Sequence, residues 1–358
     1  MSRKKIISEF KELYALKQSA RSWHVPFLAA MCVGVPLLAG YFLGNVHNGA
    51  LASLGGLVIL YLPEATFTNR MITLMVCSFG LLASFCVGLI FSFSPIVAAV
   101  VLGGFTFAVH RITRYFKMKP PGNFFFIMLA AVAMCMPFNV ALIPYKTGII
   151  GMGCMCACLL ALVYGVLVRG KESTNNPQEI IIVKKRSYFL GGIESAIFGL
   201  FIGLSLLTAK MLQLNNPYWV PVSCLAVMQG VSTRHIWQRS LQRIAGTFLG
   251  LGLAWFLLTL HLPEWCICLV IVLMQFAVEM LITRNYGLAV VFITTLTLML
   301  AEFGSAIANQ PNALVIARFT DIVIGSAIGA VGGYFLYHQK LKSKMQRQLR
   351  KTRVILKR

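Results

Sequence analysis

Long segments of mostly apolar residues follow one another along this chain, separated by short polar segments. Within each apolar segment there are few polar residues. About twelve apolar runs, separated by short and mostly basic connections, lie at residues 25–44, 49–62, 71–92, 95–110, 122–137, 144–168, 188–211, 218–231, 243–261, 263–283, 285–304 and 314–337. Such runs predict membrane-embedded helices, because a helix of ~20 apolar residues spans a bilayer. A soluble helical bundle would need a polar face on each helix, which these runs do not show. We therefore expect an all-α, polytopic membrane protein.

The runs fall into two sets of six, at residues 25–168 and 188–337, joined by a polar cytoplasmic linker at 169–187. Arginines and glycines recur at matched places in the two sets. The matched pairs, 169 or 170 positions apart, are Arg70 with Arg239, Gly80 with Gly250, and Arg114 with Arg284. Six crossings would return the chain to the side on which it began, so we expect two parallel six-helix repeats.

The second run of each set is too short for a comfortable span. Residues 49–62 contain three glycines, and residues 218–231 contain Pro221 and Gly230. Paired short runs interrupted by glycine or proline, at corresponding places in two repeats, are typical of a transport site. The alternative is that both are thin packing helices.

The charge of the chain is concentrated in alternate connections and at both ends. The sequence is 58% hydrophobic and 12% charged, yet its net charge is +22, and 29 of its 32 lysines and arginines lie in those places. This is the positive-inside pattern, which predicts a multi-pass membrane protein with both termini in the cytoplasm. Residues 1–24 predict an amphipathic helix on the membrane surface, and residues 338–358 predict a basic tail. The expected partner of this charge is the lipid bilayer, and nucleic acid is not expected.

Enzymatic classes have little support in the sequence. The longest hydrophilic stretch is the linker, and no P-loop, H-E-x-x-H or G-x-S-x-G motif is present. The ten cysteines all lie in apolar runs without the spacing of a zinc site, so they are interpreted as small apolar residues. We expect no enzyme activity, no cofactor and no metal.

Ionisable residues inside the apolar runs are functional candidates, because a charge at membrane depth is costly. Glu194, Glu279 and Asp321 are the candidate proton-coupling residues. Arg318 and Asp321 are three residues apart and share one helix face. They could neutralise each other, or Arg318 could meet an anionic substrate while Asp321 takes a proton.

The arginines that follow the second short run are candidate anion-binding residues. Arg239 and Arg243 are four residues apart and so share a helix face. Guanidinium groups hold carboxylates through two parallel hydrogen bonds. Simple positive-inside anchoring is the alternative. Tyr218 and Trp219 are either aromatics at the membrane interface or a platform for a substrate ring.

The stretch PYWVPVSCLAVMQG and the residues after it resemble the fusaric-acid-resistance (aromatic acid exporter) family of bacterial inner-membrane proteins. The positions that fit the family pattern are Tyr218, Trp219, Gln229, Arg243, Ile244, Gly246, Thr247 and Gly250. Two departures are visible: Gly230 stands where the family has proline, and the linker is short where larger exporters carry a cytoplasmic domain. The chain therefore resembles a compact form of the family.

The resemblance implies a place in the bacterial cytoplasmic (inner) membrane and efflux of aromatic carboxylic acids driven by the proton motive force. Some relatives use a periplasmic adaptor as a partner. A homo-oligomer also stays open. The resemblance and the charged residues described above together give the expected substrate-binding residues: Tyr218, Trp219, Gln229, Arg239, Arg243, Thr247 and Arg318. Two alternatives remain: a passive organic-anion channel, and a membrane scaffold or envelope-maintenance protein without a substrate.

Overall fold

The computed structural model describes residues 22–168, 188–260, 262–302 and 311–337. Nearly all of the expected N-terminal segment, and all of the linker and the basic tail, lie outside these ranges. The described chain forms twelve α-helices: α1 His24–Phe42, α2 Val46–Gly56, α3 Phe67–Ile90, α4 Pro95–Tyr115, α5 Phe124–Ala133, α6 Ile143–Val168, α7 Tyr188–Met211, α8 Trp219–Met228, α9 Thr233–Thr259, α10 Glu264–Leu281, α11 Tyr286–Glu302 and α12 Pro311–Tyr337. Short 3-10 helices precede α6 and follow α2. The expected all-helical, polytopic class is confirmed.

Eight of the twelve helices are long and apolar enough to cross a membrane, and four apolar helices are shorter. The short ones are α2, α5, α8 and α11, which are the second and fifth helices of each set. A short second helix in each half was predicted from the sequence, whereas the short fifth helix was not. Helix α5 has only 10 residues and ends at Ala133, four residues before Pro137. Proline disfavours helical conformation in the residue before it, which accounts for an early end to this apolar run.

The end of α5 is completed by a cation from a neighbouring helix. Lys210 of α7 donates a hydrogen bond to the carbonyl oxygen of Met134, at 2.8 Å. The last carbonyls of a helix have no partner within that helix, and at membrane depth each must be satisfied from elsewhere. A lysine at this end also complements the negative pole of the helix dipole.

Helix α9 begins at Thr233, ten residues before the apolar run that predicted it. The side chain of Ser232 accepts a hydrogen bond from the backbone N–H of His235, which is a typical N-cap. Arg234, Arg239 and Arg243 therefore all lie on the first three turns of α9, which agrees with the shared helix face expected for Arg239 and Arg243. Their positions along α9 are fixed by helical geometry, which a loop would not provide.

The same pairs of helices pack together in both halves of the molecule. Helix α2 packs on α6 as α8 packs on α12, and α3 packs on α5 as α9 packs on α11. Helices of the two halves also pack on each other: α4 of the first half packs on α7 of the second, and α10 of the second half packs on α1 of the first. This reciprocal packing is what internal repeats produce, although the number and sense of the crossings stay predictions.

Glycines allow the backbones to approach where each short second helix crosses the last helix of its half. A Cβ at Gly153 in α6 would overlap the carbonyl oxygen of Ala52 in α2. A Cβ at Gly325 in α12 would likewise overlap the carbonyl oxygen of Val220 in α8. Small residues at helix crossings are the usual means of close packing in a bilayer. The two short helices are thus held by matching contacts.

Candidate functional site

A cavity of about 2760 Å³ lies between the two halves of the molecule. All four short helices contribute to its wall, each through positions three, four or seven residues apart. These positions include His47, Ala50 and Leu54 in α2, Phe125, Met128 and Val132 in α5, Trp219, Val222 and Ala226 in α8, and Ile293, Thr297 and Leu300 in α11. Such spacing places the residues on one helix face. The short helices therefore turn a continuous face to the cavity along most of their length.

The wall of the cavity is positively charged. Five lysines and arginines line it against two carboxylates: Lys117, Lys119, Arg239, Arg243 and Arg284 against Glu64 and Glu279. The cations lie in the α4–α5 and α10–α11 connections and on the first three turns of α9. These are the segments that the charge pattern predicts to lie on the cytoplasmic side. The cavity thus has an anion-attracting side, and it is the expected cytoplasmic side.

Arg239 and Arg243 surround the side chain of Tyr286 in this wall. The Nη1 atom of Arg243 donates to the hydroxyl of Tyr286 at 3.5 Å, and its Nη2 atom donates to the hydroxyl of Ser223 at 3.4 Å. The guanidinium carbon of Arg239 lies 4.3 Å from the centre of the Tyr286 ring. Arg243 is only 5% exposed.

The charge of this arginine pair is not neutralised by the described part of the protein. No carboxylate within the described ranges pairs with Arg239 or Arg243, and the Nε atom of each is buried without a hydrogen-bond partner. A buried cation without a counterion is costly, which makes it a strong site for an anion that enters the cavity. The pair has the donors to hold a carboxylate through more than one hydrogen bond.

Local structure explains how the three side chains meet. The Ser232 cap sets the start of α9, and the four-residue spacing of Arg239 and Arg243 puts both on the face that turns to α11. The side-chain oxygen of Asn285 accepts a hydrogen bond from the backbone N–H three residues on, at 3.1 Å. This N-cap begins α11 at Tyr286, so that the ring stands beside both arginines.

The structure brings most of the predicted site residues to the cavity. Six of them line it: Tyr218, Trp219, Gln229, Arg239, Arg243 and Glu279. Glu279 is 4% exposed. The other four are not in the lining: Glu194, Thr247, Arg318 and Asp321. These four hold neighbouring elements in place or lie behind the wall.

Gln229 and Thr247 both bridge helices. The Nε2 atom of Gln229, at the end of α8, donates to the carbonyl of Pro121 at 3.4 Å, just before α5. Thr247 is fully buried and accepts a hydrogen bond from the hydroxyl of Thr294, at 3.4 Å, between α9 and α11. Gln229 therefore links two short helices at the wall, while Thr247 keeps α11 against α9.

Arg318 and Asp321 lie in α12, behind the wall. The Nη2 atom of Arg318 donates to the hydroxyl of Thr297 at 2.7 Å, and its guanidinium lies over the ring of Trp219. Both of these partners line the cavity, so Arg318 supports two of its walls. Asp321 is 1% exposed, and its Oδ2 atom is buried without a hydrogen-bond partner.

Glu194 belongs to a separate cluster where α4 packs on α7. It forms an ion pair with Arg114, while the neighbouring Ser195 hydroxyl lies 2.8 Å from Nδ1 of His110. The His110 ring stacks on Phe198, with centroids 4.2 Å apart. This cluster joins the two halves near the end of α4 and the start of α7, outside the cavity lining.

Sequence reasoning missed several polar residues of the wall, above all Tyr286, Asn285 and Gln275. Gln275 is 3% exposed and lies four residues before Glu279 in α10. A polar pair at that spacing in an apolar run shares a helix face, and this was the available signal. Tyr286 gave no such signal, because a tyrosine at the end of a run is typical of the membrane interface.

Part of the chain is similar to known membrane proteins. Residues 200–332 match the family model described as fusaric acid resistance protein-like. The chain is also 38% identical over 143 residues to the "Uncharacterized membrane protein YvaC" of Bacillus subtilis (strain 168), a match that covers 38% of this chain and 22% of that protein. No solved structure matches the chain. The matched residues 200–332 include α8 to α11 and the Arg239–Arg243 pair, so this part of the chain is similar to fusaric acid resistance protein-like sequences.

Proposed function

We propose that this protein exports small organic anions, aromatic carboxylates in particular, across the bacterial cytoplasmic membrane through the cavity between its halves. The observation that carries the proposal is the pair of Arg243, which is buried, and Arg239, which is partly buried. The pair has no counterion in the described chain and lies in the wall to which the short helices contribute. The family match over residues 200–332 agrees with a transport role.

An anion is the species that this wall favours. The attraction between opposite charges is several times stronger near a protein surface than in bulk water, because the effective dielectric constant is lower. A carboxylate between the two guanidinium groups would satisfy donors that the protein leaves unfilled. Lys117, Lys119 and Arg284 add positive charge along the approach. They would raise the local concentration of anions at the cytoplasmic mouth.

An aromatic anion fits the rest of the wall. The aromatic side chains that line the cavity are Tyr61, Tyr115, Phe116, Phe124, Phe125, Tyr218, Trp219 and Tyr286. Aromatic rings pack on one another in offset or edge-to-face arrangements that are worth ~1 kcal/mol beyond the area they bury. A substrate ring therefore has partners at several depths of the cavity, in both halves.

Coupling to protons is assigned to buried carboxylates close to this path. Glu279 lies in the wall itself, and Asp321 lies behind it in the same helix as Arg318. A carboxylate that alternates between charged and neutral forms in the same cavity wall as the arginine pair would alter the affinity for an anion. Glu194 is the weaker candidate, since it is paired with Arg114 away from the cavity.

The test uses the full-length protein in liposomes loaded with labelled 4-hydroxybenzoate, with and without an imposed pH gradient. Release against the anion's own gradient only when protons flow supports coupled export. Release that follows the anion gradient alone supports an anion channel instead. Absence of release for a panel of aromatic acids contradicts transport and favours a scaffold. An adaptor protein and a homo-oligomer stay predictions that this assay does not need.

A further inference from the structure

The side chain of Tyr286 resembles the proposed substrates, because it has an aromatic ring and an oxygen attached to that ring. Its ring lies beneath the guanidinium of Arg239, with 4.3 Å between the guanidinium carbon and the ring centre. Its oxygen accepts a hydrogen bond from Nη1 of Arg243. A planar ring stacked on one arginine and an oxygen held by the next are the contacts that an aromatic oxyanion would make.

We propose that Tyr286 is a built-in competitor that occupies the anion site between Arg239 and Arg243, and that an aromatic anion displaces its hydroxyl to bind. This inference rests on the proposed function, because it assumes that the arginine pair takes such an anion. It adds a residue that determines affinity and selectivity, and that the sequence motif does not contain.

The tyrosine is a weak occupant of the site. Its hydrogen bond to Arg243 is 3.5 Å long, whereas a charge-assisted bond between a guanidinium and a carboxylate is about 2.7–2.9 Å. The Nε atoms of both arginines stay without a partner while the phenol is in place. A carboxylate offers two oxygens and a full negative charge, so it makes stronger bonds with the same donors.

The position of Tyr286 allows this displacement. It is the first residue of α11, directly after the Asn285 cap, and its side chain lines the cavity and is only partly buried. Rotation of the side chain towards the open volume therefore needs no break in the helix. Arg243 stays oriented meanwhile, because its Nη2 atom still donates to Ser223.

Two consequences follow for transport. A protein group that fills the site lowers the apparent affinity for the substrate, because only the fraction of molecules with an empty site can bind it. It also favours release, since the tyrosine returns to the arginines as the anion leaves. Selectivity arises because an anion without a ring leaves Arg239 without a stacking partner once the tyrosine has moved.

The decisive variant is Tyr286→Phe, which keeps the ring over Arg239 and removes the oxygen that competes for Arg243. We expect about fivefold tighter binding of 4-hydroxybenzoate, the change that corresponds to one hydrogen bond. Binding is measured by calorimetric titration of the purified full-length protein. The control is Tyr41→Phe, an equal change in α1 outside the cavity lining, for which we expect the affinity of the natural protein.

The outcomes separate this inference from the proposed function. Tighter binding by Tyr286→Phe supports the competitor, and so does binding by the variant where the natural protein shows none. If the natural protein binds 4-hydroxybenzoate and Tyr286→Phe binds it equally well or more weakly, Tyr286 is not a competitor. The proposed function is then unaffected. No binding by either protein overturns both. If Tyr286→Phe does not fold, Tyr286→Leu takes its place under the same criteria.

Discussion

Arg318 lies with its guanidinium over the indole ring of Trp219, and its Nη2 atom donates a hydrogen bond to Thr297 at 2.7 Å. One buried side chain of α12 thereby contacts two cavity-lining residues, one on α8 and one on α11. Sequence reasoning considered Arg318 mainly in relation to Asp321 and to the substrate. The structure gives it a further role, which is to hold the ring of Trp219 in place.

We expect the contact between Arg318 and Trp219 to stabilise the protein measurably. Arg318→Lys keeps the charge but loses the planar group that stacks on the indole. Cation–π contacts are worth about 0.5–2 kcal/mol, the larger values being for desolvated groups. A double-mutant cycle of Arg318→Lys with Trp219→Leu, followed by thermal unfolding in detergent, should give a coupling free energy in this range. Additive effects of the two changes would show that the contact contributes nothing.

The number and location of the helices could be predicted from the sequence, since each apolar run must be covered by lipid or by protein. The start of α9 could not be predicted from hydropathy, because Arg234, Arg239 and Arg243 lower it where the helix already exists. The Ser232 N-cap was the local sign of the true start. For α5, Pro137 was the sign that the run would not be helical throughout.

Six of the ten predicted site residues line the cavity. The sequence could indicate them because interrupted helices and charged side chains are costly at membrane depth and are tolerated where they face a cavity. The remaining wall could not be predicted, since it depends on which helices become neighbours. The pairing of α9 with α11 leaves no trace in hydropathy. Without that pairing, nothing in the sequence connects Tyr286 with Arg239 and Arg243.

We expect the arginine pair to be essential for anion transport. Arg243→Ala removes the more buried guanidinium, and losing one partner of a buried charged contact costs about 2–5 kcal/mol, which corresponds to a loss of affinity of at least about thirtyfold. Arg243→Lys should recover only part of it, because lysine cannot form the paired hydrogen bonds. The measurement is 4-hydroxybenzoate release from liposomes at matched protein content.

The matched control for this prediction is Arg234→Ala. Arg234 lies on the first turn of the same helix, is exposed, and is not in the cavity lining. Its removal should leave release unchanged. Equal losses in Arg234→Ala and Arg243→Ala would mean that the arginines act only as anchors at the cytoplasmic surface.

Glu279 and Glu194 should differ in their effect on proton coupling. Glu279→Gln removes a buried carboxylate from the cavity wall, so we expect release that no longer responds to an imposed pH gradient. Glu194→Gln removes one partner of a pair whose other member, Arg114, is 51% exposed. Such pairs contribute about 0–1 kcal/mol, so coupling should persist and stability should change little. Coupling that survives Glu279→Gln but not Glu194→Gln would reverse the assignment.

The crossing of α2 and α6 should tolerate no side chain at Gly153. Replacing glycine by alanine within a helix ordinarily favours the helix by about 1 kcal/mol, because alanine loses less conformational entropy. At Gly153 the added Cβ meets the carbonyl oxygen of Ala52, so the two helices must move apart, and overpacking of this kind costs about 1–3 kcal/mol. Gly153→Ala should therefore lower the unfolding temperature. Gly104→Ala in α4 adds the same methyl group where no atom lies within 4 Å, and it should leave that temperature equal or higher.

Because α2 forms part of the cavity wall, Gly153→Ala should also reduce the rate of anion release, and Gly104→Ala should not. A Gly153→Ala protein as stable and as active as the Gly104→Ala protein would show that close contact between α2 and α6 is not what positions the short helix.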